Sequence, residues 1–176
     1  MKRVAIQGVA GCFHDIAARQ FFSGEEVEVI PCDTFKDLFA TIRKDNSILG
    51  AVAIENTIAG SLLPNHNMLK ESGATILGET KLRIEHNLVA MPGQKNSDIT
   101  EVLSHPMALM QCEDFLAKYP NLKAVEAEDT AASAKYIAEN KIMGKAAICS
   151  KLAAEIYGLE ILAEGIETNK RNFTRF

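Results

Sequence analysis

Apolar and polar positions along the chain follow two rhythms. Short, mostly apolar runs at 4–7, 27–31 and 50–54 read as buried strands, the first closed by Gly8 and the second by Pro31. Between them, Phe13, Ile16, Ala17 and Phe21 recur at helical spacing over 13–22. Phe35, Leu38, Phe39 and Ile42 form a second stripe over 35–42, which Asp33 or Thr34 can cap. Strand–helix–strand–helix–strand predicts parallel pairing with right-handed crossovers.

Further along, 74–77, 81–84 and 87–91 are strand-like, and Pro92-Gly93 ends the last of them. A strand at 101–103 leads into a helix over 106–118. Pro106 suits its first turn, where the missing N–H costs nothing. The rhythm then repeats: a strand at 123–127, a helix at 130–140 capped by Asp129, a strand at 145–149, and a helix at 151–157 capped by Ser150 and stopped by Gly158. The last strand candidates are 160–163 and 172–176. Two successive α/β units follow from this, one at 1–80 joined by the returning segment 163–176, the other at 81–162. The expected fold is two-lobed, with a cleft between lobes and ligand groups at the carboxyl ends of strands.

Composition narrows the function. The 176 residues hold 19 Lys+Arg against 23 Asp+Glu, a net charge of −4, so a nucleic-acid partner is not expected. No stretch approaches the roughly 20 apolar residues of a membrane span, and no secretory leader is legible, so the expectation is a cytoplasmic protein without a membrane partner. Cys12, Cys32, Cys112 and Cys149 form no C-x-x-C pair. The four histidines, His14, His66, His86 and His105, show no metal-ligand spacing, so no metal is expected.

Several polar groups fall at strand ends. Glu55-Asn56-Thr57 follows the third strand and reads either as a turn or as a polar cluster, with Gly60-Ser61 beyond it. Ser104-His105-Pro106 opens a helix and is either an ordinary cap or an anion site; Gln111 and Cys112 lie on the same helix, Cys112 as a packed thiol. Asp129-Thr130 is a helix start. Gly8-Val9-Ala10-Gly11 lacks the dinucleotide pattern and the P-loop lysine. Asn172-Phe173-Thr174-Arg175-Phe176 alternates, with Asn172, Thr174 and Phe176 on one strand face and Phe173 and Arg175 on the other. Lys170, Arg171 and Arg175 make it locally cationic.

In this order, the segments resemble the catalytic domain of prephenate dehydratase over nearly the whole chain. The matching pieces are Gly8, Gly11 and Phe13; Ile54-Glu55-Asn56-Thr57 with Gly60-Ser61; Ser104-His105-Pro106 with Ala108-Leu109 and Gln111-Cys112; Asp129-Thr130-Ala131; and Asn172 to Phe176, the most specific. The chain departs from the family's usual pattern at Val9, at Thr57 where Ser is common, at Met107 where Gln is common, and in Gly11-Cys12-Phe13-His14. The resemblance implies a periplasmic-binding-protein-like α/β fold and conversion of prephenate to phenylpyruvate in phenylalanine biosynthesis, with no cofactor. It makes Thr174 the catalytic acid. Asn56, Thr57, Ser104, His105, Gln111, Thr130, Arg175 and Phe176 become candidates for holding the substrate, with Glu55 and Asn172 supporting. It further implies a homo-oligomer, a dimer being favoured. Family members usually carry an ACT regulatory domain directly after the Thr-Arg-Phe strand, and none is expected within these residues. Arogenate dehydratase on the same scaffold and a solute-binding protein are the alternatives.

Overall fold

The computed structural model describes all residues, Met1–Phe176. In chain order its elements are β1 (Lys2–Gln7), α1 (Phe13–Phe21), β2 (Val27–Cys32), α2 (Phe35–Lys44), β3 (Leu49–Ala51), β4 (Glu55–Asn56), β5 (Gly60–Ser61), α3 (Leu63–Ser72) and β6 (Lys81–Arg83). There follow β7 (Asn87–Ala90), a 3₁₀ turn at Asn96–Asp98, β8 (Glu101–Ser104), α4 (Pro106–Gln111), α5 (Glu113–Leu116), β9 (Lys123–Glu126), α6 (Thr130–Glu139), β10 (Lys145–Cys149), α7 (Lys151–Tyr157), β11 (Glu160–Ala163) and β12 (Phe173–Arg175). The chain divides into two compact units, one of Met1–Ile84 with Arg171–Phe176, the other of Glu85–Lys170.

In the first unit β1 lies parallel to both β2 and β3, in the order β2-β1-β3. These are the three apolar runs, joined by the two helices whose stripes the sequence shows. Ala5, Leu38, Phe39 and Ile48 pack together on one side, with Ile42, Met68 and Leu69 against them. Ala17 of α1 packs with Leu82 and Ile84, and Phe13, Ile16 and Phe176 cover that cluster. Thr34 caps α2 by accepting from the Asp37 N–H at 3.1 Å. A second, antiparallel sheet runs β5-β4-β12-β6, so β12 lies between β4 and β6. This is why 81–84, placed by the sequence in the second unit, belongs to the first: β6 is the partner of β12.

The second unit is one five-stranded sheet in the order β11-β7-β10-β8-β9. β8, β9 and β10 are mutually parallel along their pairings, while β7 and β11 run antiparallel. Its core holds Leu88, Val102, Ala146 and Ile148 of the strands with Ala108, Leu109 and Cys112 of α4 and its C-cap. Strands buried on both faces explain the solid apolar runs here. β11 and the segment to Lys170 belong to this unit, so the division falls later than 162.

Three local expectations differ. Residues 74–77 form no strand, and Ile76 and Leu77 stand 68% and 63% exposed. The element before them, α3, has no apolar stripe for periodicity to detect: its ten residues Leu-Pro-Asn-His-Asn-Met-Leu-Lys-Glu-Ser bury only Asn65. The 106–118 helix breaks at Cys112, whose φ of −110° and ψ of 18° leave the helical region, giving α4 and α5. The third strand ends at Ala51, and β4 and β5 then form a short hairpin.

Candidate active site

Thr174 and Asn56 face each other across the β12–β4 ladder. Opposite residues of an antiparallel pair project their side chains to the same face, so this register alone brings the two together. Asn56 Nδ2 donates to Thr174 Oγ1 at 2.9 Å and to Asn172 Oδ1 at 2.9 Å, and its third acceptor, the Phe173 carbonyl, is at 3.2 Å. The other end of that amide is fixed. Asn56 Oδ1 accepts from the Ile58 and Ala59 N–H groups, each at 2.9 Å. With its oxygen held by two backbone donors, Asn56 must present hydrogens to Thr174. The threonine oxygen is therefore an acceptor toward Asn56, and its own O–H proton is left to donate elsewhere. Thr174 is 7% exposed and Asn172 fully buried, so these bonds operate away from bulk water.

The hydroxyl of Thr57 serves the backbone. It donates to the Arg171 carbonyl at 2.8 Å and accepts from the Phe173 N–H at 2.9 Å, clamping the entry of β12. The hydroxyl that a Ser-to-Thr difference preserves is thus a strand clamp, and substrate binding through it is not what this geometry favours. Arg175 lies on the other strand face, as alternation requires, and its guanidinium meets Glu55 at 3.7 Å and Glu79 at 3.8 Å. Two carboxylates beside it oppose a role as an anion receptor. Glu55 thereby pairs with this arginine on the same strand ladder. Phe176 packs its ring edge-on against His14, centroids 5.0 Å apart, and pairs its backbone with Thr80 in both directions.

The first loop is built around Asp15. Gly8 and Gly11 hold φ of 102° and 86°, where a side chain would be strained. The Gly11 N–H then reaches the fully buried Asp15 carboxylate at 2.8 Å, and Arg19 pairs with the same group at 2.7 Å. His14 Nε2 accepts from the Ala53 N–H at 3.3 Å. Burial pulls the His14 pKa from 6.5 down to about 4. Protonation would in addition turn that acceptor into a donor facing an N–H.

In the second unit Ser104 is fully buried, and its hydroxyl donates to the Ile148 carbonyl at 2.7 Å, joining β8 to β10. In this structure that hydroxyl serves as a clamp between the two strands. His105 is the N-cap of α4, its Nδ1 accepting from the Met107 N–H at 3.1 Å. Thr130 begins α6 beneath the cap made by Asp129, whose Oδ1 accepts from the Ala132 N–H at 2.7 Å. Burial raises the Asp129 pKa, and the cap's hydrogen bonds oppose the rise. Burial pushes the Cys112 thiol up to about 12, so it stays a packed, protonated thiol.

Gln111 stands apart from these clamps. Its Oε1 lies 2.9 Å from His86 Nε2, and the His86 N–H donates to Glu167 Oε2 at 3.0 Å. His86 and Glu167 are 2% and 1% exposed. Neither is visible as a site residue in the sequence. Each is one polar residue among several in its segment, with a partner 81 positions away. No group of three or more His, Cys, Asp or Glu is gathered as a metal would need.

A nearly buried threonine hydroxyl oriented by a fixed amide is a group able to pass a proton to a small-molecule substrate, the kind of site an enzyme uses. The chain belongs to the prephenate dehydratase family, whose model, described as prephenate dehydratase, matches residues 4–176. Arogenate dehydratase 1 of Petunia hybrida is 41% identical over 175 residues, covering 99% of this chain and 41% of that protein. The prephenate dehydratase of Arthrobacter aurescens, solved in complex with L-Phe, superposes with a TM-score of 0.88 at 30% identity, covering 99% of this chain and 58% of that one. A structure described as GqqA, a novel type of quorum quenching acylase, gives a TM-score of 0.88 at 35% identity, covering 99% of this chain and 62% of that one. The chain thus spans about two fifths of the length of such curated relatives.

Proposed function

We propose that the chain carries the catalytic machinery of a prephenate dehydratase, acting in phenylalanine biosynthesis. The observation that carries this reading is the Thr174 hydroxyl, 7% exposed and held by Asn56 Nδ2 at 2.9 Å with its proton directed elsewhere. In the reaction, the bond from the ring carbon to its carboxylate breaks and releases carbon dioxide. The electron pair enters the ring, the ring carbon–oxygen bond breaks, and the departing oxygen takes a proton. Prephenate dianion plus one proton gives phenylpyruvate anion, carbon dioxide and water.

Thr174 supplies the proton or a strong hydrogen bond to the leaving oxygen. A threonine hydroxyl is a weak acid, so the charge that gathers on Oγ1 needs a donor already in place. Asn56 is that donor, fixed in advance by the Ile58 and Ala59 N–H groups, and it needs no reorganisation as charge develops. Asn172 in turn locks the Asn56 amide.

Arogenate is the second substrate to consider, because relatives 36–41% identical are described as arogenate dehydratases, several also as prephenate dehydratases. Side-by-side turnover of prephenate and arogenate, following phenylpyruvate and phenylalanine, tests both. Turnover of neither overturns the proposal.

A further inference from the structure

β3 ends its sheet, in the order β2-β1-β3, and no backbone hydrogen bond joins its outer edge to the segment 74–80. That segment contains the apolar stretch that reads as a strand in the sequence and forms none. With the pairing unmade, a cavity of about 620 Å³ lies between β3 and this segment, lined wholly by residues of the first unit. Small-molecule sites run from roughly 300 to 1,000 Å³. Neither Asn56 nor Thr174 lines the cavity, so the oriented hydroxyl lies outside it. Its walls are apolar: Phe21 of α1, Phe39 and Ile42 of α2, Leu69 of α3 and Ile76 of the segment opposite. The segment passes close over α1, where a Cβ on Gly78 would stand 2.9 Å from the Phe21 ring. A peptide strand would have to displace this cover to reach the β3 edge, whereas a small molecule fits beneath it.

Two charged side chains line the cavity. Glu79 is met by Arg175 at 3.8 Å. Arg43 donates from Nε to the Phe39 carbonyl one turn back at 3.2 Å, and no carboxylate pairs with it. Arg43 is exposed and Phe39 buried, so the cation stands at the rim with its other N–H groups uncommitted. One uncommitted cation at the rim of an apolar chamber complements one negative charge on an apolar body. We propose that this cavity binds a small apolar monocarboxylate, its body against Phe21, Phe39 and Ile42 and its carboxylate on Arg43. The inference goes beyond the dehydratase reading and uses neither residue of the Asn56–Thr174 pair.

Octanoate and its neutral counterpart 1-octanol, titrated into methyl-labelled protein at neutral pH, test it. Octanoate should shift the methyl signals of Ile42, Leu69 and Ile76 saturably, with a Kd of about 1 mM or tighter. 1-Octanol should shift the same signals and bind about 3- to 5-fold more weakly. Arg43→Met keeps an apolar stem and should bring octanoate to the level of 1-octanol, while Arg43→Lys should stay within about twofold of wild type. Thr75→Trp, at an exposed position of the lining segment, should fill the chamber and weaken both ligands at least about tenfold. Three wild-type results overturn the proposal without any variant having to fold: no saturation in that range, shifts confined to methyls outside the cavity, or equal binding of octanoate and 1-octanol. A ligand-free dimer in sedimentation that Thr75→Trp dissociates overturns it too, by making the cavity the seat of a second copy. Each of these outcomes leaves the dehydratase reading to its own turnover assay.

Discussion

Thr174 and Asn56 form the smallest unit in which the chemistry can be tested. Replacing Thr174 by Val keeps the shape and removes the proton, so turnover should fall about 10²–10⁴-fold while KM changes little. Retention of a third of wild-type turnover would show that another group is the acid. Asn56→Asp tests the orientation of the amide. It replaces two hydrogens by a charged acceptor beside Thr174 Oγ1 and should lower kcat at least as far, whereas a substrate-only role for Asn56 would appear chiefly in KM. The alternation of 172–176 is legible in sequence, and so is the separation of Thr174 from Arg175. The contact between Asn56 and Thr174 is not, because it spans 118 positions and depends on which strands flank β12. The resemblance named both residues. Only the register says which atom of Asn56 faces the hydroxyl.

Among the elements, those with a clear apolar stripe or solid apolar run were readable, and those without one were not. α1, α2 and the parallel strands each bury such a face. α3 lacks one, so 63–72 gave no helical signal. At strand ends the sequence leaves open what a polar residue does; here the Ser104 hydroxyl joins β8 to β10 and the Thr57 hydroxyl clamps the entry of β12. Ser104→Ala leaves the Ile148 carbonyl without this donor in a fully buried place and should cost about 1–3 kcal/mol, measured by urea unfolding, with kcat nearly unchanged in the folded protein. A loss of turnover at unchanged stability would return Ser104 to the substrate.

At the scale of the molecule, pH acts through groups held neutral. The unfolded His14 takes a proton below about 6.5, while the native one resists until about 4. The unfolded state therefore binds more protons across that window. Its contribution is complete above about 6.5 and is lost as pH falls toward 4. His14 as a residue is half-buried, so the loss is on the order of 1–2 kcal/mol. His86 shifts in the same direction. Urea midpoints measured from pH 7 to 4 should fall, and His14→Gln should flatten the slope. A slope unchanged in that variant removes His14 as the cause. Turnover should also be indifferent to EDTA, since the proposed steps use only protein hydrogens. Activity that is lost to the chelator and returns with a divalent ion would contradict this.

The place where β12 rejoins its unit has a further consequence. The Ile84 N–H donates to the Asn172 carbonyl at 2.8 Å, so the chain leaves the first unit and re-enters it at neighbouring points. The residues between, Glu85–Lys170, are therefore a loop insertion whose two ends lie side by side, the arrangement that lets a guest domain be cut out of its host. Excised as a polypeptide of 85–170, that guest carries its own five-stranded sheet and core and should unfold in urea as a single cooperative transition. The host, closed by a short glycine-containing bridge from Ile84 to Arg171, should retain the Asn56–Thr174 pair without the guest. A guest fragment with no transition would mean that its core forms only while the host holds both its ends.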